Sequence, residues 1–234
     1  RSSGDAVVLE MVGAQRAFNT AAHRAGIRVH ALDGDPQFVL RKKHARVFNL
    51  VDALVRFNQE GPADARFDAV HMDNEPYVLK EWKQSPADRQ EIIQSYIELN
   101  RELQRRVHAG GMQYGVDIPF WWDKVDAAGV RAYQVKTEQG DVPLLEAIFG
   151  LVDNAGIMSY RVRVTGPNGV IDCCQTEFAL GAQDGTEVFA SVELGVGPKG
   201  EAGITFGVYP MAYFWTQLET LGRMLPAQRG CVGV

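Results

Sequence analysis

The chain has 234 residues, of which 46% are hydrophobic and 23% charged, and its formal net charge is −5. That length suits one large α/β domain that builds its core without a disulfide scaffold or a structural metal. The acidic balance argues against a nucleic-acid partner, which asks for a basic face, and no apolar run is long enough to span a membrane.

Compact apolar runs rich in Val and Ile alternate with helical stretches from end to end. In chain order, a strand is predicted over Val7–Glu10, a helix over Ala14–Ala25 ending at Gly26, and a strand over Ile27–Leu32. A helix over His44–Asn58 then runs to Gly61, followed by a strand over Ala69–Asp73. The clearest helix covers Ala87–Ala109: Ile92, Tyr96, Leu99, Leu103 and Val107 recur at three- and four-residue spacing, Pro86 suits its first turn, and Gly110-Gly111 stops it. Strands follow over Tyr114–Ile118, Gly156–Tyr160, Val188–Glu193 and Ile204–Val208, and Met211–Leu225 forms the last helix before Pro226. Short runs of this kind fit strands buried on both faces of a parallel sheet.

Such alternation gives a parallel sheet with right-handed crossovers, either open or closed. No glycine-rich phosphate turn follows the first strand, and polar residues collect at the C-terminal ends of several strands. Both features favour a TIM-type (β/α)8 barrel, whose active sites are assembled at those ends. Residues 1–234 therefore read as a single barrel domain of seven strand–helix units, one short of eight, with the first strand the expected absentee.

Cys173, Cys174 and Cys231 show neither a disulfide framework nor zinc-ligand spacing, so ordinary reduced thiols are expected and no cofactor is called for. The chain begins Arg-Ser-Ser-Gly without an initiator Met or signal-peptide pattern, which suggests a removed N-terminus. The compartment stays open, with a secreted or cell-envelope protein among the options.

The segment Phe67–Tyr77 carries the most chemistry. Strand alternation would put His71, Asp73 and Glu75 on one face, with Asp68 just before them, and turn Val70 and Met72 toward the helices. Acidic side chains inside a barrel are costly unless solvated, paired or used, and two neighbouring carboxyls push one pKa upward, as a general acid requires. A buried salt-bridge network is the alternative reading of the same residues.

Asp68-x-x-His71-x-Asp73-x-Glu75 resembles the fourth-strand DGxDxDxE signature of the family 18 glycoside hydrolases, the chitinase-like barrels, and Met158-Ser159-Tyr160 resembles that family's sixth-strand Met-x-Tyr-Asp. The resemblance implies Glu75 as proton donor, with Asp73 orienting the substrate's acetamido group and Tyr160 hydrogen-bonding it. The pattern departs at His71 and Arg161, where the family has Asp, and at Ala69, where it has Gly. The family's last-strand tryptophan has no evident counterpart unless Trp215 serves.

Asn74-Glu75-Pro76 also resembles the fourth-strand motif of the clan A retaining glycosidases. That likeness implies Glu75 as acid/base, Glu193 as nucleophile and Tyr160 bonded to it. Two carboxyls about 5 Å apart would imply retention, and roughly 6.5–9.5 Å inversion. Ala31–Pro36, Phe67–Tyr77 and Val192-Glu193 together are similar to a group of uncharacterised TIM-barrel proteins related to these hydrolases, a likeness that covers most of the chain.

Asp33 and Asp35 lie in a Gly/Pro turn after the second predicted strand, where turn chemistry and substrate binding explain them equally. Asp117 would face inward just before Trp121 and Trp122, and exposed tryptophans beside a carboxylate suit a sugar, whose C–H face stacks on the ring while acids bind hydroxyls. Trp82, on the loop after Glu75, could wall the same cleft, and His23 and His44 read as surface or helix-packing residues. The expected function is thus cleavage of a glycosidic bond by acid/base chemistry on a carbohydrate substrate, with Asp33, Asp35, His71, Asn74, Asp117, Trp121 and Trp122 as substrate-binding residues. Two other readings stand beside it: a metal-dependent hydrolase using His30, Asp33, His71, Asp73 and Glu75, and a non-catalytic barrel that binds a glycan or a protein.

Overall fold

The computed structural model describes residues 3–196, 202–225 and 231–233. Its elements in chain order are α1 (Ser3–Arg24), β1 (His30–Asp33), α2 (Arg41–Glu60), β2 (Ala69–Met72), α3 (Lys80–Gln84), α4 (Pro86–Ala109) and β3 (Gln113–Ile118). There follow β4 (Gln134–Thr137), β5 (Gly140–Pro143), α5 (Leu144–Phe149), β6 (Asn154–Ile157), α6 (Val170–Cys173), α7 (Gln175–Asp184), β7 (Glu187–Ala190), α8 (Met211–Met224) and β8 (Cys231–Gly233).

Six strands form one parallel sheet in the order β1-β2-β3-β6-β7-β8, while β4 and β5 pair as a separate antiparallel hairpin. The order never reverses, and every crossover between neighbours carries at least one helix. A doubly wound sheet needs a reversal to place helices on both faces. Right-handed crossovers that always step the same way put the helices on one face. Among the described residues β1 and β8 are the edges of the sheet.

The core lies between the sheet and its helices. Ile92, Tyr96, Leu99, Leu103 and Val107 of α4 are all buried, as their spacing predicts, and pack in one cluster with Val70, Met72, Tyr114, Val116 and Ile118 of the strands. Ser85 caps α4 by accepting from the Asp88 amide at 3.1 Å, with Pro86 in the first turn. Cys173 and Cys174 are buried, and the side chain of Cys231 lies outside the described residues.

Two predicted strands are corrected. Val7–Glu10 belongs to α1, because a short apolar run does not by itself distinguish strand from helix and no turn separates it from the helical stretch that follows. Ile204–Val208 contributes only a single bridge, Thr205 to Glu193, before a 3-10 turn at Phe206–Val208. Gly207 passes so close to the chain at Leu194 that a Cβ there would lie 2.4 Å from the Leu194 carbonyl oxygen. The place beside β7 is taken by β8, which pairs through Val188 and Phe189. Among the described residues the parallel sheet therefore holds six strands and not seven.

Gly34 fixes the relation between the first two strand ends. A Cβ on it would sit 1.9 Å from the Asp73 carbonyl oxygen, while the Asp73 amide donates to the Asp33 carbonyl at 3.0 Å. The clash is with backbone, so Gly34→Ala is expected to cost about 1–3 kcal/mol through forced displacement of the turn. Urea unfolding of the two proteins measures this, and equal stability would contradict the close approach.

Candidate active site

The candidate residues gather where the parallel strands end. Asp73 follows β2, Asp117 lies within β3, Tyr160 follows β6 and Glu193 follows β7. Glu75 is not on the strand. Its backbone turns left-handed, φ 35° and ψ 59°, and caps the 3-10 turn Pro76–Val78. A non-glycine residue in that conformation is strained and is often found at functional sites.

Four carboxylates act on one phenol. The Tyr160 hydroxyl is pushed up to about 12 by burial first, then by Asp117, Asp73, Glu193 and Glu75. The expected upward shift among the acids falls on Asp73. Its carboxyl is pushed up to about 6 by burial, Asp117 and Glu75, with His71 pulling the other way, and its Oδ1 is buried without a hydrogen-bond partner.

Tyr77 is the functional neighbour that sequence reasoning missed. Its hydroxyl donates to Glu75 Oε1 at 2.7 Å and lies 3.9 Å from Met158 Sδ. Burial and the Glu75 carboxylate both raise the phenol's pKa, so it stays protonated as a donor. The ring also meets Trp121 edge-on at 5.1 Å between centroids, and Trp121 in turn meets Tyr133 at 5.6 Å.

His71 lies deeper on the same face. Its Nε2 is 3.1 Å from Asp117 Oδ1, its Nδ1 is 3.2 Å from Asn154 Oδ1, and its ring stacks 6.2 Å from His30. Burial and then His71 hold the His30 imidazole below its usual pKa.

Other predicted residues are placed differently. Asn74 is 1% exposed with neither amide atom partnered, so it does not line an open mouth. Trp122 is 1% exposed and packs edge-on against Tyr96, which leaves the half-buried Trp121 as the ring available for stacking. Trp82 is buried as well, so it underlies Tyr133 instead of walling a cleft. Asp35 caps the 3-10 turn Pro36–Val39 through the Gln37 amide at 2.8 Å, and Asp33 accepts from the Gly34 amide at 2.8 Å, so turn chemistry accounts for both. Asp68 clamps α1 to the sheet, accepting from the Val29 amide at 2.6 Å and pairing with His23 Nε2 at 2.9 Å. The Glu193 carboxylate accepts from the Gly195 amide. Among the described residues no group of three His, Cys, Asp or Glu side chains is placed to hold a metal ion.

Fold and site together define a mixed α/β protein with a one-directional parallel sheet and an acidic cluster at its strand ends. No protein-family model matches the chain, and comparison with curated proteins gives no match. Among solved structures it is similar to the chitinase from Chromobacterium violaceum ATCC 12472 (18% identity over 72% of this chain, TM-score 0.43) and to the spore cortex-lytic enzyme of Bacillus megaterium QM B1551 (13% over 80%, TM-score 0.48). It is also similar to catalytic domain 2 of the Group II chitinase of Ostrinia furnacalis (16% over 73%, TM-score 0.41). The chain covers 50%, 42% and 46% of those three structures respectively, so it spans about half the length of what it matches.

Proposed function

We propose that this chain carries the acid/base site of a glycoside hydrolase-like (β/α)8-type barrel, with Glu75 as proton donor to the leaving glycosidic oxygen. The reading rests above all on the placement of Asp73, Asp117, Tyr160 and Glu193 at the ends of four neighbouring strands of a one-directional sheet, with Glu75 two residues after Asp73. The sequence likeness of Asp68–Glu75 to the chitinase-like signature supports the same assignment.

The chemistry follows from the contacts. Tyr77 occupies Glu75 Oε1, which leaves Oε2 to carry the transferred proton. Asp73, ionised above about pH 6, steadies the positive charge that develops on the sugar ring as the leaving group departs. Attack on the anomeric carbon comes from Glu193 or from the substrate's own acetamido oxygen, and Tyr160 hydrogen-bonds whichever group is used. The half-buried Trp121 beside Tyr77 offers an apolar ring to a sugar face.

A panel of chromogenic aryl glycosides, with and without a 2-acetamido group, tests the proposal. Cleavage is expected, and cleavage confined to 2-acetamido sugars would select the acetamido group over Glu193 as the attacking group. No cleavage of any member by the folded protein would overturn the enzymatic reading. On the same panel Trp121→Ala is expected to raise KM about 5- to 10-fold, on the order of 1 kcal/mol of lost stacking, with little change in kcat. An unchanged KM would remove Trp121 from the site.

A further inference from the structure

Helix α1 meets the body of the protein through its polar side. Asn19 is fully buried and donates to the Ala65 carbonyl at 3.1 Å. The His23 ring lies 2.7 Å from the Asp64 carbonyl oxygen and 2.9 Å from Asp68 Oδ2, and Arg16 lies over the Phe57 ring at 5.0 Å. The apolar positions are turned elsewhere. Met11 is 67% exposed and Phe18 61% exposed, and Ala14 and Ala21 are exposed with them. A helix on a globular protein buries its apolar stripe and shows its polar face to water. In α1 the arrangement is reversed.

Met11, Ala14, Phe18 and Ala21 follow one another at three- and four-residue steps, the seam spacing of two helices packed along their length. Large and small side chains alternate along that seam. Against a second α1 running the opposite way about a two-fold axis, Met11 faces the partner's Ala21 and Phe18 faces the partner's Ala14. Every large side chain then meets an alanine, so the stripe is complementary to itself.

The charges agree with the same register. Glu10 and Arg24 flank the seam on one side, both are exposed, and neither has an ion-pair partner among the described residues. From residue 10 to residue 24 a helix rises about 21 Å, too far for the two to pair within one chain. The antiparallel register brings Glu10 beside the partner's Arg24 at each end of the seam. A parallel pairing would keep these charges at opposite ends and set Phe18 on the partner's Phe18.

We propose that the exposed stripe of α1 is a dimer interface, covered by α1 of a second copy of this chain in antiparallel packing. The assignment stands apart from the chemistry at the strand ends and holds whether or not the chain cleaves a glycoside.

Sedimentation velocity of the full chain over a dilution series tests it. One helix pair is smaller than a standard interface of about 1,600 Å², so a monomer–dimer equilibrium in the micromolar range is expected. Phe18→Glu sets a charge against the partner's Ala14 and should leave the chain monomeric throughout, with its urea midpoint unchanged because Phe18 is exposed. Glu10→Arg and Arg24→Glu, each alone, should weaken the dimer by about 10-fold, since two exposed ion pairs become two repulsions. The double variant Glu10→Arg/Arg24→Glu should dimerise more tightly than either single variant, a rescue that needs contact between copies. A chain that stays monomeric up to millimolar concentration would overturn the proposal and leave the stripe to a partner of another kind. A dimer indifferent to Phe18→Glu, or a double variant no tighter than the singles, would overturn it as well.

Discussion

Glu75→Gln is expected to lower kcat/KM on aryl glycosides by about 10²–10⁴-fold, the range for removal of a positioned general acid, and to leave the fold intact. The side chain keeps its shape, and its contact with Tyr77 survives, because the Tyr77 hydroxyl donates to Oε1 and the amide oxygen still accepts. What is lost is the proton on the second oxygen. Rates measured across pH on proteins of matched unfolding midpoint separate this loss from misfolding. Undiminished turnover in the variant would remove Glu75 from the chemistry.

The second large effect concerns stability, not turnover. Glu177 on α7 is fully buried, and no other residue hydrogen-bonds either of its carboxylate oxygens. Burial, with help from Asp123, pushes its carboxyl up to about 8 against the opposing pull of Arg131. The folded chain therefore holds this proton between about pH 4.5 and about pH 8, where the unfolded chain has released it. A state that binds more protons loses ground as pH rises, so Glu177 makes the protein progressively less stable across that window, with the change complete above it. Glu177→Gln has no proton to lose. Its stability relative to the unaltered chain should rise by on the order of 4 kcal/mol from pH 5 to pH 9, read by urea unfolding. A difference that does not vary with pH would contradict the buried, protonated carboxyl. The residue beside it, Thr176, donates to Asp123 Oδ2 at 2.8 Å, so the same ionisation would also load the turn that carries Trp121 and Trp122.

Much of this arrangement was legible in the sequence because two periodicities carry it. The five apolar positions of α4 are buried as their spacing requires, and Val70 and Met72 face the core as alternation along β2 requires. Asp73, Asp117, Tyr160 and Glu193 stand at four separate strand ends, a placement that the strand–helix alternation predicts. The errors arise where periodicity gives no answer. Val7–Glu10 is apolar in a way that serves helix and strand alike. The hairpin of β4 and β5 was overlooked because its strands, such as Gln134–Thr137, are short and partly exposed.

Glu75 shows the same limit at the centre of the site. Alternation predicts its side as if the strand ran on, yet β2 ends at Met72 and Glu75 turns left-handed. That turn brings Tyr77, two residues on, back over the carboxyl, a contact that strand alternation cannot anticipate. Asn74 and Trp122 err in the other direction. Residue type suggested ligand contact for both, while their neighbours in the chain, Glu75 and Trp121, occupy the more open positions and leave them buried.

The most direct test of Glu75 as proton donor is the dependence of its loss on the leaving group. Aryl glycosides that share one sugar but range from 2,4-dinitrophenol to unsubstituted phenol differ in how much the departing oxygen needs a proton. The account predicts that Glu75→Gln is severely impaired on the phenyl glycoside and close to unimpaired on the dinitrophenyl one. An equal deficit on both, or none on either, would contradict it.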